Sequence, residues 1–284
     1  MQFTRQQVIS RLQSQIDRKQ AIVCAGAGTG ISAKFIERGG ADLVIVYNSG
    51  RFRMAGHSSM CGLLALGDAN AIVMEMGERE ILPVVQRTPV IAGVNGTDPT
   101  RVMRRFLGQV SEAGFSGVNN FPTVGLFDGR IRRELEASDL GFAREVAMIA
   151  TAHELGLFTI VYVFTPQEAA AMAAAGADAV IAHMGLTVGG SIGMSAEEAM
   201  SLDVACEQVQ AIGAAAVTQQ PDVLVLCHGG PIATPDDAAY VMSRTGAVGF
   251  VGASSVERLP VEEALSSTTE QFKAIPIGLT QSTP

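Results

Sequence analysis

Short apolar runs recur along the chain at 21–25, 43–47, 71–75, 90–94, 116–121, 158–164, 179–183, 223–228 and 247–252. They are rich in Val, Ile and Leu and do not alternate with polar residues, the pattern of parallel strands covered on both faces. Between them, apolar residues spaced three and four apart predict helices at 30–39, 68–86, 99–113, 139–155, 166–175, 196–217, 235–245 and 260–273, with one more at 4–18. Nine strand candidates is one too many for a closed eight-stranded barrel, and 71–75 is the weakest. Asp68 can cap a helix carrying Ile72, Met76, Ile81 and Val85, which Pro83 would shorten or kink. On that assignment Glu75 lies on a helix; on a strand it would face the barrel as a candidate catalytic carboxylate. Thr165-Pro166, Thr234-Pro235 and Asp98-Pro99 each place a capping side chain before a proline at the first helical position. Repeated strand–helix–strand order with short returns implies parallel crossovers. The expected fold is α/β: a single (β/α)8 barrel over 1–276 with an extra N-terminal helix closing its bottom and a tail at 277–284. An open doubly wound parallel sheet is the alternative, because closure leaves no mark in sequence.

Composition narrows the function classes. A 284-residue chain with 48% apolar residues can bury one large core. A formal charge of −8 argues against nucleic acid or anionic membrane as partner, while leaving room for a local basic pocket. No apolar run approaches the roughly 18 residues that span a bilayer, and residues 1–20 are polar and helical rather than a leader. Cys24, Cys61, Cys206 and Cys227 are widely spaced, with neither a CxxC pair nor zinc spacing, so reduced thiols in a cytoplasmic protein are expected.

The candidate chemistry sits past the strand ends. Leu226-Cys227-His228-Gly229-Gly230-Pro231 and Val251-Gly252-Ala253-Ser254-Ser255 are apolar runs that break into glycine and small hydroxyl residues before a helix. The last two βα loops of a barrel commonly form a phosphate pocket, because bare backbone amides and a helix N-terminus favour an anion. Gly229, Gly230, Gly252, Ala253, Ser254 and Ser255 are the expected anion contacts. Of four histidines, His183 and His228 end adjacent strands and are candidates for proton transfer, anion binding or metal ligation. Three connections, 48–67, 122–138 and 184–195, are long enough to be lids. Arg51, Arg53 and the Arg130, Arg132, Arg133 cluster lie in them, where they can close over a phosphate or carboxylate. Gly26-Ala27-Gly28-Thr29-Gly30 departs from a dinucleotide fingerprint, and Tyr47-Asn48 stands where its acidic residue would be. No nicotinamide or flavin is expected.

Together, Ile22–Gly30, Val44–Gly50, Val90–Pro99, Asn119–Gly125, His183-Met184-Gly185 and the two C-terminal loops resemble the phosphoenolpyruvate-hydrolase-like barrel proteins, whose members are often labelled phosphonopyruvate hydrolases or barrel signal-transduction proteins. That resemblance implies the phosphoenolpyruvate/pyruvate superfamily, whose mutases, lyases and C–P hydrolases use Mg²⁺ to polarise an α-keto acid. Those enzymes present several acids at their strand ends. This sequence offers asparagines and histidines instead, with Asp98 and Glu75 the nearby acids, and its metal ligands stay unassigned. Its glycine loops are equally similar to the metal-free phosphate site of indole-glycerol-phosphate-type barrels. The implied activity is C–P bond hydrolysis on a small phosphorylated or phosphonate keto acid. His183 or His228 would move the proton, Asn95, Asn119 and Asn120 would orient the carbonyl, and Gly28, Asn48, Ser49 and Thr165 would contact the substrate. The family also resembles the C-terminal half of a plant antiviral resistance protein that acts by binding, so a non-catalytic nucleotide- or metabolite-binding barrel is the alternative. A lyase or isomerase acting on a phosphorylated sugar acid is the third class. A homo-oligomer is expected by analogy with superfamily barrels.

Overall fold

The structure, a computed structural model, describes residues 2–195 and 197–277. The strands are β1 (Ile22–Gly26), β2 (Leu43–Val46), β3 (Val90–Gly93), β4 (Gly117–Asn119), β5 (Phe158–Val163), β6 (Ala179–His183), β7 (Leu224–His228) and β8 (Gly249–Gly252). They pair in parallel in chain order, and β8 returns to β1, so the sheet is closed and the open alternative does not hold. The helices are α1 (Arg5–Asp17), α2 (Gly30–Arg38), α3 (Asn48–Met54), α4 (Ala69–Met76), α5 (Met103–Ala113), α6 (Gly129–Ala137), α7 (Phe142–Glu154), α8 (Pro166–Ala174), α9 (Leu202–Gln219), α10 (Pro235–Arg244) and α11 (Arg258–Lys273).

Two cores explain why the strands read as unbroken apolar runs. Alternate residues such as Ile45, Phe158, Ile160 and Ile181 fill the lumen, where Val8 and Leu12 of α1 plug the lower end. The intervening positions, among them Val44, Val118, Val161 and Val180, pack outward against the helices. Each fully buried aliphatic or aromatic side chain contributes about 1.5–3 kcal/mol. Strand contact is close: a Cβ on Gly117 would stand 2.2 Å from the carbonyl oxygen of Phe158, and one on Gly249 would stand 2.3 Å from that of Ile22.

The run at 71–75 is helical, capped by Asp68 accepting from the Ala71 N–H. The helix is shorter than the expected 68–86. It gives way at Gly77–Ile81 to a wider π turn, closed by the Leu82 N–H on the Gly77 carbonyl, just before Pro83, which has no N–H to give. Thr165 and Thr234 cap α8 and α10 as expected. Asp98 does not cap α5, which starts at Met103 rather than 99. Its carboxylate is already engaged by Asn70, Thr100 and Arg101. α9 starts at Leu202, capped by Ser201, not at 196; position 196 itself and the tail at 278–284 lie outside the described residues. Two of the long connections carry their own structure: α3 and a 3-10 turn (Ser59–Leu63) in one, a 3-10 turn (Val124–Leu126) and α6 in the other.

α11 stands apart, with Arg258 its one buried residue among those described. Leu265 is 65% exposed, and a groove between α2 and α11 is walled by Val23, Ile31, Phe35 and Val261. No helix among the described residues is long and apolar enough to cross a membrane. The four cysteines are free thiols.

Because the obstruction at Gly117 is backbone rather than a movable side-chain tip, Gly117→Ala is expected to destabilise the barrel by about 1–3 kcal/mol, read as a lowered urea midpoint at unchanged slope.

Candidate active site at the barrel mouth

β6 and β7 end side by side, with His183 in register with His228. Their rings meet edge to face at 4.6 Å between centroids, and the residues are 8% and 6% exposed. The strand period of two sets the layer beneath them. Tyr162 follows Phe158 and Ile160 up the inner face of β5, and its ring lies 4.9 Å from His183 and 5.2 Å from His228. Tyr47 follows Leu43 and Ile45 beyond β2, and its hydroxyl meets that of Tyr162 at 2.6 Å. Phe121 packs edge-on against both tyrosines.

The two imidazoles are held in opposite tautomers. His183 Nδ1 accepts the Gly185 N–H at 3.0 Å, so in the neutral ring the proton sits on Nε2. His228 Nδ1 lies 2.5 Å from the Val251 carbonyl oxygen, which can only accept, so Nδ1 carries the proton and Nε2 offers a lone pair. Burial disfavours the imidazolium in both. It pulls His228 down to about 4, helped by the Arg53 charge, and holds His183 well below the usual range, helped by His228.

Arg53, on α3, reaches this layer from the side and is 2% exposed. Its Nε and Nη2 donate to Glu257 Oε2 at 2.9 and 2.5 Å, and Glu257 Oε1 accepts the Gly28 N–H at 2.7 Å. Nη1 has no partner in the chain among the described residues, and the side chain lines the cavity. Ser49, Ser59, Leu63, Thr187, Ala253 and Ser254 complete the wall. The space holds about 50 Å³ for the centres of water-sized molecules. One water needs about 10–15 Å³, so the enclosed part takes a few water-sized atoms, and a larger ligand extends into its open side.

The structure gathers only some of the residues expected here. His183, His228, Ser49, Ala253, Ser254 and Arg53 meet at the mouth. Asn119 lies on the inner face of β4, fully buried, with Nδ2 on the Ile160 carbonyl at 2.8 Å and Oδ1 unpartnered. Asn48 is its counterpart beside the mouth, bonded to Gly62, again with a bare Oδ1. Asn120 turns outward, away from the expected carbonyl: its amide spans Glu145 of α7 and the Tyr162 backbone. Asn95 lines a neighbouring depression with Asp68, Asp98 and Arg101 rather than the mouth. Thr165 is spent as a helix cap and the Gly28 amide on Glu257. Gly229 and Gly230 take left-handed backbone and press on the β6 loop, where the Gly230 N–H goes to the Gly185 carbonyl at 2.9 Å. Gly252 and Ser255 stand behind the wall formed by their neighbours. Arg51 pairs with Glu75 and Glu80, which puts Glu75 on the surface. Arg130 and Arg132 pair along α6 with Glu134 and Glu136. Tyr47, Tyr162 and Glu257 are the residues that sequence reasoning passed over. Counting by twos from the strand cores would have found both tyrosines.

The donor set does not suit Mg²⁺. A hard cation takes six or so oxygen ligands, most of them carboxylate or water. Among the described residues the carboxylate that approaches this layer is Glu257, and it is occupied by Arg53 and Gly28. Among the described residues no group of three His, Cys, Asp or Glu is placed to hold a metal.

The sequence profile of phosphoenolpyruvate hydrolase-like proteins matches residues 7–275. The chain belongs to that family. Two tomato (Solanum lycopersicum) relatives, the ToMV susceptible protein tm-1(GCR26) and the ToMV resistance protein Tm-1(GCR237), are each 57% identical over 269 residues. The match covers 94% of this chain and 35% of theirs, so the chain spans about a third of these relatives' length. Among solved structures, phosphoenolpyruvate phosphomutase from Streptomyces platensis subsp. rosaceus superposes with a TM-score of 0.63 at 19% identity, covering 93% of this chain and 87% of that one. Phosphonopyruvate hydrolase in complex with oxalate and Mg²⁺ gives 0.57 at 18%, covering 95% and 92%. At such identities the family shares its fold with this superfamily of mutases, lyases and hydrolases.

A histidine held near 4 makes stability depend on pH. Between 6.5, its ordinary value, and about 4, the unfolded chain binds a proton that folded His228 refuses. Stability is full above that window and falls as pH drops through it, by up to about 1.4 kcal/mol per pH unit. Glu145, pushed up to about 7 by burial, titrates in the opposite sense over much of the same range. The His228 effect is therefore read as a difference: urea midpoints of His228→Gln should fall less steeply from pH 6.5 to 4.5 than those of the wild type.

Proposed function

We propose that the chain is an enzyme acting on a small phosphonate or phosphorylated 2-keto acid, with hydrolysis of the C–P bond of phosphonopyruvate as its reaction. The observation that carries this reading is the pairing of opposite, neutral imidazole tautomers in a small cavity that a buried guanidinium also lines. Arg53 Nη1 receives the substrate carboxylate. Ser254, at the end of β8, faces the phosphonyl group. His228 Nε2, the one ring nitrogen with an open lone pair, takes a proton from the attacking water as oxygen bonds to phosphorus. The C–P bond breaks, its electron pair passes into the enolate of pyruvate, and the proton returns to C3, leaving pyruvate and phosphate. His183 Nε2–H donates to the keto oxygen, as a neutral imidazole can without needing to be charged. The reducing cytoplasm is the proposed setting, consistent with four free thiols.

Release of phosphate and pyruvate from phosphonopyruvate tests the assignment. His228→Ala is expected to lose about 10²–10⁴-fold in kcat, the usual contribution of a positioned base. Arg53→Gln, which strands the buried Glu257 carboxylate, should lower the urea midpoint as well as raise KM. The kcat/KM profile should rise through about pH 4, where His228 gives up its proton, and stay level through neutrality.

Among the described residues the mouth brings up no unpaired carboxylate, which favours one other reading, a metabolite-binding module without turnover. Affinity for small keto acids with no product release would select it.

We also propose self-association through the groove between α2 and α11, whose apolar walls are open in the single chain. Light scattering should give a multiple of 29.7 kDa for the wild type, and Leu265→Asp should shift it to the single-chain mass.

A further inference from the structure

We propose that the Tyr47–Tyr162 phenol pair is the oxyanion donor of this cavity, so that the mouth takes a planar 2-keto acid or its enolate without a divalent cation. The substrate class rests on the function proposed above; the donor assignment rests on the geometry of the pair.

The two tyrosines stand on β2 and β5, which are not neighbours, so the 2.6 Å contact between their hydroxyls spans the lumen. Each residue is 2% exposed, and both line the cavity. Two hydroxyls carry two protons, and their mutual hydrogen bond uses one. Neither hydroxyl has another partner among the described residues, so whichever accepts keeps a proton to give. The surroundings say which one that is. Tyr162 packs against both imidazoles, whereas the ring neighbours of Tyr47 among the described residues are Tyr162 and Phe121. The direction that serves a ligand beside the histidines is Tyr47 to Tyr162 to ligand, with the first bond strengthening the second.

Around that proton the cavity supplies two more donors, His183 Nε2–H and Arg53 Nη1, from different elements. The lone pair of His228 Nε2 is the acceptor among these polar groups. A donor-rich, carboxylate-free pocket is built for ligand oxygens that carry or develop negative charge. Burial holds both phenols far above neutrality, so they stay protonated donors throughout the working range. Where a cation would take up enolate charge, the groups this cavity offers for the same task are fixed hydrogen-bond donors.

The test is oxalate, a planar dianion shaped like the enolate of pyruvate, titrated calorimetrically into the full chain in EDTA and again in Mg²⁺. Equal affinity in both is expected. Tyr162→Phe, which keeps the ring and its packing, should weaken oxalate at least 10-fold, and Tyr47→Phe should weaken it less. A readout on the unmodified protein guards against misfolded variants. The chain has three tyrosines, and ¹³Cζ labelling should show oxalate shifting Tyr47 and Tyr162 while half-buried Tyr240, on α10, stays still. Binding that requires Mg²⁺, or Tyr162→Phe affinity equal to wild type, overturns the proposal. Phosphate release is scored separately. Tyr162-dependent oxalate binding without release sinks the hydrolase reading and leaves this one standing.

Discussion

The mouth depends on one buried ion pair. Arg53 and Glu257 have side chains 1% exposed, and either charge left alone at that depth would cost several kcal/mol. The pair must therefore form, and forming it fixes three segments distant in sequence. Arg53 lies on α3 after β2, Glu257 follows β8, and the Gly28 amide that fills the remaining carboxylate oxygen follows β1. The glycine contacts show how close those segments come: a Cβ on Gly28 would stand 2.3 Å from the Gly50 carbonyl oxygen. With the guanidinium clamped through Nε and Nη2, Nη1 is left at a set position facing the imidazoles. The same carboxylate makes the arginine an aligned donor with its charge balanced locally, which suits recognition of an anion more than storage of one.

Neutrality at the mouth follows from that placement. A cation already sits beside His228, so a second positive charge on either ring is opposed by desolvation and by Arg53 or the neighbouring imidazole. Two uncharged rings in opposite tautomers divide the work that one titrating histidine would do in turn. One keeps a proton to share and the other keeps a lone pair. Their backbone partners, the Gly185 amide and the Val251 carbonyl, set this division, so the loop after β6 and the strand β8 fix which ring nitrogen carries the proton.

The fold was largely legible in the chain because its determinants are local. Unbroken apolar runs mark strands buried on two faces, and Thr165 and Thr234 before proline mark helix starts. The misread boundaries share one cause, a local signal claimed by a tertiary partner. Asp98 looks like a cap until Asn70 and Arg101 take its carboxylate. Asn120 looks like an active-site amide until the strand period turns it toward Glu145 of α7. The glycine loops read as an open anion cradle, yet the β6 loop fills the concavity of Gly229 and Gly230. His183 and His228 were readable because they end adjacent strands. Arg53 was readable only as one of several loop arginines, and nothing local separated it from Arg51, which pairs on the surface with Glu75. The partner that distinguishes them lies 204 residues away.

Sharing a barrel with an enzyme solved with oxalate and Mg²⁺ does not commit this chain to the same electrostatics. A carboxylate cage and its cation supply positive charge that a bound ligand can lean on, but the cage is repulsive when empty. Here the donors are built in: a guanidinium on α3 tied to one carboxylate, and a ring N–H and a phenol carried on β6 and β5. Such donors need no reorganisation as charge develops, which is the condition under which fixed dipoles outperform solvent. Each donor also needs burial to be effective, and a wide opening would surrender that. Phe121, Leu63 and the β6 loop keep the mouth narrow. Cavity size and electrostatic strength are thus set by the same walls, so enlarging the cavity would weaken the field at the mouth.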